Sequence, residues 1–139
     1  MKLIPETEES PVLRTDFSDE AAWQALCEAI VRPEPDFGYR AYVEYISDRD
    51  FEGVTVEDVL ANIPENWRHS FLFIVDQKTI VDPEHPVLVV DLYTERGRTF
   101  RVVPGEMCAV ENNLSIANMD FADFADNVDD DGVCRGFYS

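Results

Sequence analysis

Apolar residues recur along the chain in two rhythms, one helical and one extended, and the rhythms alternate. Trp23, Leu26, Cys27 and Ile30 fall at i, i+3, i+4 and i+7, the spacing of one buried helix face, and Pro33 and Pro35 close the pattern. Ahead of them, Asp16-Phe17-Ser18-Asp19-Glu20 reads as a helix start, with Ser18 as cap and Asp19 and Glu20 suited to the positive end of the helix dipole. Val56, Val59, Leu60 and Ile63 repeat the rhythm before Pro64. There Thr55 and Asp58 have the spacing of a capping box, and Val54 and Val59 can staple the helix start. Residues 104–113 predict a short helix, because Pro suits a first helical position and Asn a last one. Phe121, Phe124, Ala125 and Val128 give a final stripe, capped by Asn118 or Asp120.

Phe71-Leu72-Phe73-Ile74-Val75 and Val87-Leu88-Val89-Val90 are apolar without interruption, the mark of strands buried on both faces. Residues 11–15 and 39–46 read as further strands, and residues 99–103 alternate, with Phe100 and Val102 on one side and Arg101 between them. The turn Glu95-Arg96-Gly97-Arg98 predicts a hairpin joining that strand to the one before it. Residues 76–86 read as a turn-rich connection, and residues 133–137 as a returning edge strand. The whole predicts an α/β fold: a single domain over residues 11–139, with a mixed sheet of about five to six strands and helices on both faces. Residues 1–10, polar and aperiodic, read as a loosely ordered acidic arm.

Composition narrows the function classes. Twenty-nine acids against eleven bases give a net charge of −18, a field that repels phosphate backbones and anionic membranes and attracts basic proteins. No direct nucleic-acid or membrane binding is expected. The 45% hydrophobic content, with nine Phe, supports a packed core despite that charge. Three cysteines, Cys27, Cys108 and Cys134, form neither a Cys-x-x-Cys pair nor a spacing with His, which predicts reduced thiols and a cytoplasmic setting. The first residues meet Pro and acids before any apolar run of signal length, and no segment approaches a membrane span. No motif calls for a cofactor.

Several stretches carry a likeness. They are Arg14-Thr15-Asp16-Phe17-Ser18-Asp19 leading to Trp23, His69-Ser70-Phe71-Leu72-Phe73, and Pro86-Val87-Leu88-Val89-Val90-Asp91-Leu92. Fuller still are Phe100-Arg101-Val102-Val103-Pro104, the run from Glu111 through Asn112, Asn113 and Asn118 to Phe121, and the closing Asp131-Gly132-Val133 with Arg135-Gly136-Phe137. Together they resemble a family of short acidic bacterial proteins, frequent in actinobacteria and known as a domain of unknown function. The resemblance runs from about Pro11 onward. It implies no activity and carries over no catalytic residue.

Three constellations could carry chemistry. Asp16, Asp76 and Asp91 each follow or close an apolar strand, and carboxylates gathered at strand ends can hold Mg²⁺ for hydrolysis or phosphoryl transfer. The same residues can instead cap a helix and open turns, and antiparallel strands would send Asp76 and Asp91 to opposite edges. Asn127, Asp129 and Asp131, with Gly132 next, match the first half of an EF-hand loop. Tyr138, not Glu, stands at its closing position, so a solvated turn is the competing reading. Glu111, Asn112, Asn113, Ser115 and Asn118 could line a polar cleft for a peptide or small polar ligand, or the Asn residues could simply end one helix and start the next. With no catalytic motif, the function expected is a non-enzymatic protein-binding module, inhibitor- or immunity-like, taking a basic protein partner. The alternatives are a small carboxylate- and Mg-dependent enzyme and a DNA mimic.

Overall fold

A computed structural model describes residues 1–136. Six strands form one mixed sheet: β1 (Ser10–Arg14), β2 (Val43–Ile46), β3 (Phe71–Val75), β4 (Val87–Asp91), β5 (Thr99–Val102) and β6 (Val133–Cys134). Their order across the sheet is β2-β1-β3-β4-β5-β6. β1 runs parallel to both β2 and β3, β3 to β5 form an antiparallel meander, and β6 returns parallel to β5. The hairpin expected between β4 and β5 is present.

Both faces are covered, as the uninterrupted runs of β3 and β4 require. On one face Phe71, Phe73, Val75 and Val89 pack with Trp23, Leu26 and Ile30 of α1 (Glu20–Val31), Ile80 of α3 (Gln77–Val81), Met107, Val110 and Leu114 of α4 (Met107–Ser115), and Phe121 and Phe124 of α5 (Phe121–Ala125). On the other, Leu72, Ile74 and Val90 pack with Leu13, Phe51 and Val59, the last on α2 (Val56–Ala61). Leu88 is only half-buried on this second face. Each of the α1 core residues contributes about 1.5–3 kcal/mol on burial, enough to fix how the helix lies on the sheet. No helix among the described residues is long and apolar enough to cross a membrane.

Local chemistry explains the ends of the elements. The Thr55–Asp58 capping box is formed, both bonds present. The cap of α1 is Asp19 rather than Ser18: its carboxylate accepts the Ala22 amide at 3.0 Å, while the Ser18 amide donates to Asp16. Within the expected connection of residues 76–86 lies α3, started by a capping box in which Asp76 and Thr79 serve each other. The helix expected over residues 104–113 is a 3₁₀ turn at Pro104–Glu106 followed by α4, which continues to Ser115. Asp120 caps α5, which stops at Ala125 before Val128. β6 holds two residues, and Phe137, at the far end of the expected edge strand, lies outside the described residues.

Residues 1–9 form no helix or strand, yet the stretch expected as a loose arm carries a core residue. Ile4 is 1% exposed within the second core, and its amide donates to the Asn62 carbonyl at 2.9 Å.

Candidate functional site

The three post-strand aspartates do not come together. β3 and β4 are antiparallel with Phe71 opposite Asp91, so Asp91 lies at the start of β3 and Asp76 at its end. Asp16 shares the Asp76 end of the sheet, since Arg14 pairs with Val75. Each carboxylate is spent locally. Asp16 accepts from Ser18, and buried Asp91 accepts the Tyr93 and Glu95 amides at 2.9 and 2.8 Å, shaping the β4–β5 turn. Asp76 caps α3 and holds Arg101 through two bonds, Nη1 to Oδ1 at 2.9 Å and Nη2 to Oδ2 at 2.7 Å. Burial pushes the Asp76 pKa up, but the Arg101 hydrogen bonds and charge outweigh it and hold the carboxyl below its ordinary value.

The acidic turn at residues 127–132 already has a cation, supplied by the chain. Arg135 donates from Nη1 to Asp129 at 2.8 Å and from Nη2 to Asp131 at 2.7 Å, and two further bonds of 2.8 Å reach Glu84. These partners raise the Arg135 pKa, and Arg135 in turn lowers those of Asp131 and Glu84. Asn127 turns its amide back onto the Asp123 carbonyl, away from any shared site. Among the described residues no group of three or more His, Cys, Asp or Glu is arranged to hold a metal.

The polar stretch of α4 divides. Glu111 is 3% exposed, and its carboxylate accepts from the Ser10 hydroxyl at 2.8 Å, the Tyr42 amide at 2.9 Å and Asn112 Nδ2 at 3.0 Å. Asn112 Nδ2 also donates to the Arg40 carbonyl, so together the two side chains pin the approach to β2 against α4. Asn112 and Asn113 lie inside the helix instead of ending it. The left-handed residue after it is Ala117, at φ 56°. Asn118 donates to Asn113 Oδ1, closing that turn, and the Ser115 hydroxyl reaches the Asn112 carbonyl at 3.5 Å.

Beside this network lies a cleft of about 660 Å³ between α4 and the loop of residues 34–39. Asn112 and Asn113 form part of its floor, whereas Glu111 and Ser115 face a neighbouring depression with Ser10, Tyr42, Arg68 and His69. Asn118 lines neither. The cleft's dominant side chains are Phe37, 80% exposed, Ile116, 75%, and Tyr39, 60%, with Glu34, Asp36 and Glu106 around them. Large apolar groups exposed together in this way are uncommon on a lone domain surface.

The loop presenting Phe37 is tied down by one residue. The Glu34 carboxylate accepts the amides of Asp36, Phe37 and Tyr39 at 3.0, 2.6 and 3.2 Å, while its backbone amide donates to the Tyr39 carbonyl. Gly38, at φ 76°, supplies the left-handed turn. Desolvation is the largest single influence on Glu34 and raises its pKa, but the backbone amides of Asp36, Phe37, Tyr39 and Gly38 together more than reverse it, leaving the carboxyl below its ordinary value. Phe37 and Tyr39 sit with ring centroids 5.9 Å apart. Sequence reasoning places Tyr39 in a strand and gives Phe37 no role. The available signal is an aromatic pair in the Pro33-Glu34-Pro35-Asp36-Phe37-Gly38-Tyr39 run, where Pro and Gly already mark a stiff turn.

A second cleft, of about 520 Å³, lies near the start of β3 between Trp67, His69, Tyr93 and Met119. Its His69 Nε2 is engaged by Thr7, within 3.0 Å of the hydroxyl and 2.9 Å of the carbonyl. No thiol is activated anywhere in the described fold. Burial pushes Cys27 up to about 11 and raises Cys108 and Cys134 as well.

Comparison with curated proteins finds no match to the chain. A family model does match, over residues 9–137, and with all but a few terminal residues covered the chain belongs to the family described as Domain of unknown function (DUF6924).

Proposed function

We propose that the chain is a non-enzymatic protein-binding module of the bacterial cytoplasm, gripping a basic partner in the cleft between the loop of residues 34–39 and α4, in the manner of inhibitor and immunity proteins. The observation that carries this reading is Phe37: a phenyl ring 80% exposed on a loop fixed by three amide bonds to one carboxylate. Exposed aromatics that are already ordered bind at low entropic cost, the property of an interface anchor. Glu34, Asp36 and Glu106 around it, on a chain of net charge −18, favour Lys- and Arg-rich partners and draw them in quickly. The separation of Asp76 from Asp91 gives the metal-dependent enzyme reading no support.

Selection from a random displayed peptide library tests the reading. Peptides that combine Lys or Arg with an apolar anchor, and that lose at least about tenfold in affinity against Phe37→Ala, are expected, since anchor truncation costs about 2 kcal/mol or more. Enrichment of acidic or neutral peptides, or binding indifferent to Phe37, would contradict it.

A further inference from the structure

The two edges of the sheet are finished differently. At β6, Arg101 and Val103 donate to the Gly132 and Cys134 carbonyls, so the backbone groups of Val133 point away from β5. Both are satisfied by the chain's own turn: the Val133 carbonyl accepts the Asp129 amide, and its amide donates to Asp131 Oδ1 at 3.2 Å. That edge is closed. At β2, Ser10 donates to the Tyr42 carbonyl, and the parallel register then directs Glu44 and Ile46 toward β1 and the amides and carbonyls of Val43 and Tyr45 outward. Among the described residues those four outward groups have no partner. Natural sheets protect such edges or use them to receive a strand.

We infer that β2 receives an extended, basic segment of the partner as a seventh strand, an inference that rests on the binding function proposed above. Three features support it. The approach to β2 is held rigid by Glu111 and Asn112, which bond the Tyr42 amide and the Arg40 carbonyl, so the edge is preformed. Tyr39 and Tyr42, both exposed, lead from the Phe37 cleft to Val43, so a chain anchored in the cleft is delivered to the edge. The faces of β2 differ as well. Val43 and Tyr45 pack on the α1 and α4 side, while Glu44 is exposed on the other, so an added strand meets apolar surface at one position and a carboxylate at the next. The sequence that fits alternates apolar and basic residues. A second copy of this chain fits poorly, because two surfaces of net charge −18 repel.

The probe is a capped peptide of alternating Val and Lys with a terminal Tyr, compared with the same peptide N-methylated at every second backbone amide, which keeps its charge and apolar area but removes strand donors. Hydrogen exchange of the Val43 and Tyr45 amides in the full chain reports the edge. The inference expects both amides to slow on the order of tenfold on binding, the methylated peptide to bind on the order of tenfold more weakly, and Val43→Pro to weaken the parent peptide equally. Should Val43→Pro unfold the protein, the methylated peptide still decides. Equal binding by the two peptides, or unchanged exchange at both amides in the bound state, overturns the edge inference and leaves the cleft standing on its library selection. Failure of the alternating peptide to bind overturns the edge inference too, again without touching that selection. Protection of both amides in the protein alone, with a doubled mass in sedimentation, assigns the edge to a second copy and overturns the basic-partner assignment.

Discussion

Asp76 does two jobs, and acid should separate the molecule from both. It caps α3 and holds Arg101, whose guanidinium it meets through two oxygens. Because its folded pKa lies below the unfolded value, the stabilisation it gives is complete above about pH 4 and disappears as pH falls through the folded value. Asp76→Asn is expected to cost about 2–3 kcal/mol at pH 7, largely through the Arg101 charge left half-buried without a counter-ion although it still donates to the Pro86 carbonyl, and less at pH 3. Urea melts at the two pH values check this; an equal loss at both would mean that the cap, not the charge, carries the effect. Glu111 makes a different residue-scale test. Glu111→Ala strands the Ser10 hydroxyl and the Tyr42 amide, for an expected loss of about 1–3 kcal/mol, whereas Glu111→Gln retains an acceptor and loses less.

Among the elements, those whose chemistry is local are legible in the sequence. The box of Thr55 and Asp58, the stripe of Trp23, Leu26 and Ile30, and the uninterrupted runs of β3 and β4 each state their structure within a few neighbouring residues. α3 is hidden because five residues hold too little of a helical period, and Pro83 and Pro86 dominate the reading of that stretch. β2 is shorter than its aromatic and β-branched content suggests. The Tyr42 amide donates to Glu111 and the Arg40 carbonyl accepts from Asn112, side chains about seventy positions away, and no local pattern reveals such a contact. Phe37 follows the same logic: its exposure depends on where α4 comes to rest beside the loop. The segment before β1 also shows a long-range effect. Ile4→Ala should cost about 2–5 kcal/mol, the price of a cavity in the second core, and a thermal melt matching wild type would mean that the segment detaches freely.

At the scale of the whole molecule, charge and binding are one subject. Among the described residues ten of the 29 acids stand in ion pairs, so most of the negative charge there is unanswered. Raising salt from low concentration to ~0.5 M is therefore expected to stabilise the fold, as the screening length falls below the spacing of surface charges. Glu20, Glu34, Asp48, Asp58, Asp76, Glu84 and Asp131 all have lowered pKa values. Their stabilisation is present above the unfolded carboxylate range and lost only on falling through it, so stability should change little between pH 7 and 5.5 and drop below about pH 4. A monotonic fall in melting temperature with added NaCl would show local pairing to dominate, and would remove the unanswered charge on which recognition of a basic partner depends. The most direct test of that recognition is calorimetric titration of a library-selected basic peptide into wild type and Phe37→Ala at low and at ~0.5 M salt. The account predicts a loss of about tenfold or more on removing the phenyl ring at both salt concentrations, added to a common weakening by salt. Equal affinity of the two proteins, or affinity unmoved by salt, would contradict an acidic cleft anchored by Phe37.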